Sequence, residues 1–176
     1  MKVLIVNQYD AKGGAARAAY RLHKSLLTEG IDSEMLVEFK ISSDSTVIDP
    51  ENYFNNNISR LRKALNNLPF KFKKKSAKSF FTPGWLPFSG FAKKINSLKP
   101  DIVHLHWITG SMMSFNELHK INAPIIWSLH DMWPFSSGYH YDSRFDFSDT
   151  KMPDEIKMPF EDYFFTRRRN AYLISN

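Results

Sequence analysis

The residues best suited to chemistry stand side by side, directly after a short apolar segment. Pro124–Leu129 is rich in Ile, Leu and Trp, which predicts a buried strand of a parallel sheet, and His130 and Asp131 follow it. His130 can orient or deprotonate a hydroxyl group, and Asp131 can accept from a ligand hydroxyl or hold His130. A His–Asp turn that binds no substrate is the alternative. No serine or cysteine nucleophile motif accompanies the pair, so a hydrolase triad is not predicted.

A second pair of histidines lies on the predicted strand Asp101–His106, with Trp107 at its end. His104 and His106 are two residues apart, so their imidazoles point to the same face of the sheet. Two histidines at this spacing can ligate a metal, but no third ligand is evident, and we predict no metal site. Packing of one imidazole in the core is the alternative. His106 and Trp107 lie at the strand end and are better placed than His104 to bind a ligand.

The third candidate is a pair of glycines between a strand and a helix. Gly13 and Gly14 follow the apolar run Val3–Val6 and precede a helix that Gly30 is expected to end. Glycines let a ligand approach the backbone, and a helix N-terminus attracts anions such as phosphate. The pattern lacks the GxGxxG fingerprint of dinucleotide-binding proteins, and a plain turn is equally consistent with it. The apolar face of the predicted helix consists of Ala15, Ala19, Leu22 and Leu26.

These residues need a scaffold, and strands alternate with helices along the chain. Further strands are predicted at 33–37 and 171–174, and helices at 58–68, 91–98, 114–121 and 160–170. The alternation predicts a single domain over residues 1–176, with a doubly wound, mainly parallel α/β sheet and a surface loop at 136–158. Ligands of such sheets bind beyond the carboxyl ends of the strands, so the loops after Val6, His106 and Leu129 should form the site.

The composition sets limits on the function. The 176 residues are 43% hydrophobic and include no cysteine, so disulfides and thiolate metal sites are not predicted. No apolar stretch is long enough for a signal peptide or a membrane span. We therefore expect a cytoplasmic protein, with peripheral association at the inner face of the cell membrane as a further option.

The positive charge is concentrated in one region. Residues 52–100 carry 11 Lys or Arg and no Asp or Glu, and residues 69–94 form a basic, aromatic excursion from the sheet. Cations beside aromatic residues suit an anionic membrane surface, and a solvated loop is an equal alternative. No nucleic-acid-binding motif is present, so we predict no nucleic-acid partner. The residues of the excursion expected to contact a membrane or an acceptor are Lys71, Lys73, Lys74, Lys75, Lys78 and Trp85, beside Phe80, Phe81, Phe88 and Phe91.

Three segments together resemble the N-terminal domain of family 4 glycosyltransferases of the GT-B fold. They are GGAARAAYRLHKSLLTEGIDSEMLV, KPDIVHLHWITGSMMS and PIIWSLHDMWPFSSGYHY, and the resemblance covers nearly the whole chain. The subgroup resembled acts in bacterial exopolysaccharide and lipopolysaccharide synthesis. The resemblance implies a Rossmann-like sheet and transfer of a sugar from a nucleotide-sugar to a saccharide or lipid-linked acceptor. It implies retention at the anomeric carbon, with neither a cofactor nor a required metal.

The resemblance also implies roles for the candidate residues. Gly13 and Gly14 would lie at the cleft, and His130 would contact the reacting sugar or the acceptor. His106 and Trp107 would occupy another loop of the cleft. Residues 137–141 read SGYHY where the subgroup usually has GGCHY, so a cysteine-based metal or stapling role at this loop is not expected.

Enzymes of the GT-B fold need a second Rossmann-like domain that binds the diphosphate and ribose of the donor. The 176 residues stop before such a domain, so we expect this chain to be inactive alone: it is a fragment or the product of a truncated gene, or a separate chain supplies the donor-binding domain. Whether it acts as an enzyme is left open at this point. The alternative is a non-catalytic module that binds an anionic membrane or a partner protein through residues 70–94.

Overall fold

The computed structural model describes residues 1–49, 61, 64–65, 82, 89–110, 112–134 and 140–141. Within these ranges the chain forms a sheet of five parallel strands in the order β3-β2-β1-β4-β5. The strands are β1 Lys2–Tyr9, β2 Asp32–Phe39, β3 Val47–Ile48, β4 Ile102–Leu105 and β5 Ile125–Trp127. The helices are α1 Gly14–Thr28, α2 Phe91–Ser97 and α3 Phe115–Leu118, and Leu61, Ala64 and Leu65 are also helical.

The sheet is covered on both faces because the apolar residues of β1 alternate between them. Leu4 and Val6 belong to a core cluster that includes Phe91 of α2. Val3 and Ile5 belong to a second cluster on the opposite face, which includes residues of α1. The prediction of a doubly wound parallel α/β fold is therefore confirmed.

The end of α1 shows why Gly30 is needed there. Gly30 has a φ of 73°, in the left-handed region that favours glycine. Its N–H donates to the carbonyl of Leu27 at 3.1 Å, and the N–H of Ile31 donates to the carbonyl of Leu26 at 2.9 Å. These two bonds form a Schellman motif, so the predicted C-terminal cap is confirmed.

The buried face of α1 includes a histidine that the apolar pattern did not predict. The fully buried residues of this helix are Ala16, Ala19 and His23. The two ring nitrogens of His23 lie 2.8 Å from Ser33 Oγ and 2.7 Å from Thr46 Oγ1. The hydroxyl partners satisfy the imidazole, so a polar residue takes a core position between helix and sheet.

Strand β5 departs from the prediction of a buried strand at Pro124–Leu129. Only Ile125–Trp127 is extended, and the exposed fractions are 37% for Ile125, 51% for Ile126 and 46% for Leu129. The prediction was wrong because β5 is an edge strand of the sheet in the part of the chain that the structure describes. An apolar sequence alone does not distinguish an edge strand from a central one.

Phe91 is a second correction, since the sequence grouped it with the aromatic residues beside the lysine cluster. It is the first residue of α2 and lies in the core, 1% exposed. The six residues predicted to contact a membrane or acceptor lie outside the described residues, as do the predicted elements at 160–170 and 171–174. Among the helices that are described, none has the length and apolar character needed to cross a membrane.

The strand order reverses at β1. At its carboxyl end, the buried side chain of Gln8 links β1 to β2 and to the loop after β4. β1 pairs with β2 on one side and β4 on the other. Gln8, near the end of β1, donates from Nε2 to Glu38 Oε2 at 2.9 Å and to the carbonyl of Thr109 at 3.3 Å. The backbone of Gly110 lies close to this amide. A Cβ added at Gly110 would be only 2.5 Å from Gln8 Nε2.

We predict that Gly110→Ala lowers the free energy of unfolding more than Gly30→Ala. Both glycines have positive φ, so each substitution costs about 1 kcal/mol in backbone strain. Only Gly110 adds a clash with a buried, hydrogen-bonded amide, which raises its expected cost to roughly 2–4 kcal/mol. Urea unfolding of the two variants measures the difference, and equal midpoints would show that the Gln8 contact is not tight.

Candidate functional site

A cavity of about 530 Å³ opens where the loops after β1, β4 and β5 meet. This is the crevice beyond the carboxyl ends of the strands where sheets of this kind bind ligands. Gly13, Gly14, Trp107, His130 and Asp131 line it, and His106 lies behind His130. The other lining residues are Asn7, Tyr9, Lys12, Ala15, Ala16, His140 and Tyr141.

The amino end of α1 forms one wall of the cavity. Gly13 precedes the helix with a φ of 94°, a conformation that favours glycine, and no side chain among the described residues caps the first turn. No acidic residue lies in that turn, and Gly14, Ala15 and Ala16 line the cavity. The uncapped N–H groups and the helix dipole make this wall a hydrogen-bond donor surface that attracts oxygen anions.

His130, another lining residue, is the end of a column of three histidines that starts on β4. The rings of His104 and His106 lie 4.6 Å apart, so the prediction that both point to one face is confirmed. His104 Nε2 lies 2.8 Å from Ser128 Oγ, and His106 Nδ1 lies 2.9 Å from Nε2 of His130. His130 lies at the end of this column and lines the cavity.

Burial keeps the histidines of this column neutral near pH 7. It lowers the pKa of His106 to about 4, with further lowering by positive charge on His104 and His130. Burial and His130 lower the pKa of His104. Burial also lowers the pKa of His130, and the nearby Asp131 carboxylate opposes this shift without cancelling it. His130 is therefore a neutral imidazole, and because His106 engages its Nε2, only Nδ1 is left for a ligand.

Asp131 does not bind His130; its carboxylate joins the loops around the cavity. Oδ2 accepts from Trp107 Nε1 at 2.7 Å and from His140 Nδ1 at 2.5 Å, and Oδ1 accepts from the backbone N–H of Trp133 at 2.9 Å. Burial raises the pKa of Asp131, but the hydrogen bonds from His140, Trp107 and Trp133 outweigh burial and hold it below its usual value. Asp131 is thus an ionised carboxylate whose lone pairs are largely used within the protein.

His140 lines the cavity, although the sequence predicted that residues 136–158 form a surface loop. Its side chain is 1% exposed, and its Nε2 lies 2.9 Å from Thr82 Oγ1. The backbone also contributes, because the N–H of Met132 donates to the carbonyl of His140 at 3.0 Å. The surface-loop prediction is therefore wrong at His140, which the SGYHY motif marked without giving its location.

Asn7 is a further site residue that sequence reasoning did not single out. Its Oδ1 accepts from the backbone N–H of Trp107 at 2.7 Å, and its Nδ2 donates to the carbonyl of Tyr9 at 2.5 Å. It therefore fixes the loop after β4 against the end of β1. The available sequence signal was a polar residue directly after the apolar run Val3–Val6. Across the ranges that the structure covers, no three His, Cys, Asp or Glu side chains are arranged to hold a metal ion.

We predict that His106 makes the protein acid-sensitive. Its pKa is about 4 in the folded chain against 6.5 unfolded, so the unfolded state takes up the proton first as the pH falls. The free energy of unfolding should therefore decrease between pH 6.5 and 4, by roughly 3 kcal/mol from this residue. Urea unfolding at several pH values should show a smaller decrease for His106→Asn, and a slope equal to that of the unmodified chain would contradict this assignment.

We also predict that Asp131→Asn destabilises the fold. The new amide would offer a single acceptor oxygen to three donors, so at least one donor would lose its partner, at a cost of roughly 2–3 kcal/mol. Asp101→Asn is the matched control, because Asp101 is 62% exposed and accepts from the backbone N–H of Lys2. Thermal unfolding should show a large shift for Asp131→Asn and little change for Asp101→Asn. Similar shifts in both would mean that the carboxylate of Asp131 does not join the loops.

Comparison with known proteins agrees with this architecture. The family model described as Glycosyltransferase Family 4 matches residues 12–172, which include both glycines, the histidine column and Asp131. Neither the curated proteins nor the solved structures gave a significant match. The matched span covers most of the chain, and the parallel sheet with flanking helices is consistent with a Rossmann-like domain of that family. The chain therefore belongs to glycosyltransferase family 4.

Proposed function

We propose that this chain forms the acceptor-side wall of a site that transfers a sugar from a nucleotide-sugar to a saccharide or lipid-linked acceptor. One observation carries the proposal: the uncapped amino end of α1 and the imidazole of His130 line the same cavity. The first supplies donors for oxygen anions, and the second supplies a neutral polar group. Donors of this kind suit a site where a negatively charged leaving group separates from a sugar.

The reaction replaces one bond at the anomeric carbon by another. The bond to the diphosphate oxygen breaks, a bond to the acceptor oxygen forms, the acceptor hydroxyl loses its proton, and the nucleoside diphosphate departs. Negative charge develops on the diphosphate, and backbone N–H groups that are already oriented stabilise such charge at little reorganisation cost. The helix terminus at Gly14–Ala16 suits this role, and no metal or other cofactor is part of the proposal.

The remaining lining residues suit a sugar in the same cavity. Tyr9, Trp107 and Tyr141 present aromatic surfaces, while His130 offers a polar group at a fixed position. Small-molecule sites combine apolar walls with a few placed polar groups in this way. Trp107 is held in place because its indole N–H donates to Asp131. The envelope polysaccharides that the resemblance implies are our proposed product class.

A transfer assay tests this function. The chain is incubated with a panel of nucleotide-sugars and with saccharide or lipid-linked acceptors, alone and together with a separately produced family 4 donor-binding domain. Mass spectrometry then detects the glycosylated acceptor and the released nucleoside diphosphate. Formation of both products supports the proposal, and their absence with every donor, acceptor and added domain contradicts it.

We predict that His130→Ala lowers kcat/KM for transfer by roughly 10²-fold, because it removes a polar group that contacts the reacting sugar or its acceptor. His119→Ala is the control: it removes an exposed histidine at the end of α3, away from the cavity. Its kcat/KM should match that of the unmodified chain. Equal activity of His130→Ala and the control would remove His130 from the proposed mechanism.

A further inference from the structure

We infer that His106 is a positioning residue that fixes the neutral ring of His130 with its proton on Nδ1, so that His130 presents a hydrogen-bond donor to the cavity. This inference deepens the proposed function, on which it rests for the identity of the ligand. It specifies the chemistry that His130 recognises: an oxygen acceptor of the substrate, and not a hydroxyl proton to be removed.

The first step is the contact between the two rings. His106 Nδ1 and His130 Nε2 lie 2.9 Å apart, so one nitrogen carries a hydrogen and the other accepts it. Both rings are neutral near pH 7, because burial lowers both pKa values, and each ring therefore carries a single proton. Two arrangements remain. Either His106 donates from Nδ1 and His130 carries its proton on Nδ1, or both protons lie on Nε2.

The environment of His106 decides between these arrangements. Its side chain is 5% exposed, and its Nε2 is buried without a hydrogen-bond partner among the residues that the structure describes. A proton on Nε2 would therefore be a buried, unsatisfied N–H donor. Orphaned donors of this kind are rarer in proteins than under-satisfied acceptors. The arrangement that leaves a bare lone pair at Nε2 is favoured, and it places the proton of His106 on Nδ1.

The state of His130 follows from that of His106. When His106 donates, Nε2 of His130 accepts, and the single proton of the neutral His130 ring must be on Nδ1. No described residue hydrogen-bonds this Nδ1, and His130 lines the cavity. The ring therefore offers an N–H to a ligand from one wall, while the backbone N–H groups of α1 offer theirs from the other. Both walls recognise oxygen acceptors, such as phosphate or hydroxyl oxygens.

This state also limits what His130 can do in the reaction. With its proton on Nδ1 and its Nε2 lone pair engaged by His106, the neutral ring has no free lone pair for an acceptor proton. General-base catalysis by His130 is then excluded in the resting state. Its contribution is to hold a substrate oxygen, and the proton of the acceptor hydroxyl must go to another group, such as the departing diphosphate.

The test is a direct observation of the ring protons in the ligand-free chain. Long-range ¹H–¹⁵N correlation spectra of the ¹⁵N-labelled 176-residue chain at pH 8 distinguish the two neutral forms of each histidine. Single substitutions at His104, His106, His119 and His130 assign the signals. We expect the Nδ1–H form for both His106 and His130. The Nε2–H form at either residue would overturn the inference.

A variant tests whether His106 is the cause. His106→Asp replaces a donor by a carboxylate at a similar position, which should draw the proton of His130 to Nε2. The backbone spectrum shows whether the variant is folded, and His119→Asn is the matched control, expected to leave His130 unchanged. A folded His106→Asp chain in which His130 keeps the Nδ1–H form would show that His106 does not set it. These spectra need no substrate, so the inference can fail while the transfer assay succeeds, and the reverse.

Discussion

The position of β1 between β2 and β4 is the constraint on which the site depends. All of β1 from Val3 to Gln8 is buried, with apolar residues in both core clusters. Strand β1 is covered on both faces and paired along both edges, and the chain leaves it at the carboxyl end. It turns there into α1 on one face, while the chain reaches β4 from the other side. The loop after β1 and the loop after β4 therefore lead away from each other, and the cavity lies between them.

Two buried polar side chains keep that space in shape. Asn7 fixes the loop after β4 to the end of β1 through the backbone of Trp107. Asp131 then fixes the loop after β5 to the indole of Trp107 and to His140. A buried carboxylate is costly unless donors surround it, and here three N–H groups do so. The geometry of the walls is therefore set by a chain of contacts in which Trp107 is the shared member.

The sequence predicted the parts of this arrangement that depend on local patterns. The apolar run of β1, the glycines at each end of α1 and the alternation of His104 with His106 all have short-range signals, and the structure agrees with them. The family resemblance then indicated sugar transfer as the reaction to expect. The rule that ligands bind at strand ends also placed Gly13, Trp107 and His130 in one crevice, and all three line the cavity.

The parts that the sequence did not predict depend on long-range partners. Asp131 was expected to accept from a ligand hydroxyl or to hold His130, but the partner it binds most closely is His140, within the stretch predicted to form a surface loop. The exposure of β5 depends on its place in the sheet, which its apolar residues do not reveal. His23 is buried because two hydroxyl groups from other segments satisfy it. In each case the deciding atom lies outside the local sequence pattern.

The electrostatics of the cavity follow from these contacts. A charged histidine at His130 would bind a diphosphate strongly, but its attraction would vary with pH. Burial lowers its pKa, so near neutral pH an oxygen anion in the cavity is attracted by Lys12 and by the backbone N–H groups of α1 rather than by a charged His130. An uncharged imidazole beside a fixed dipole binds the leaving group less tightly than an imidazolium. Under the proposed function, this weaker binding would allow the nucleoside diphosphate to leave once the sugar has moved.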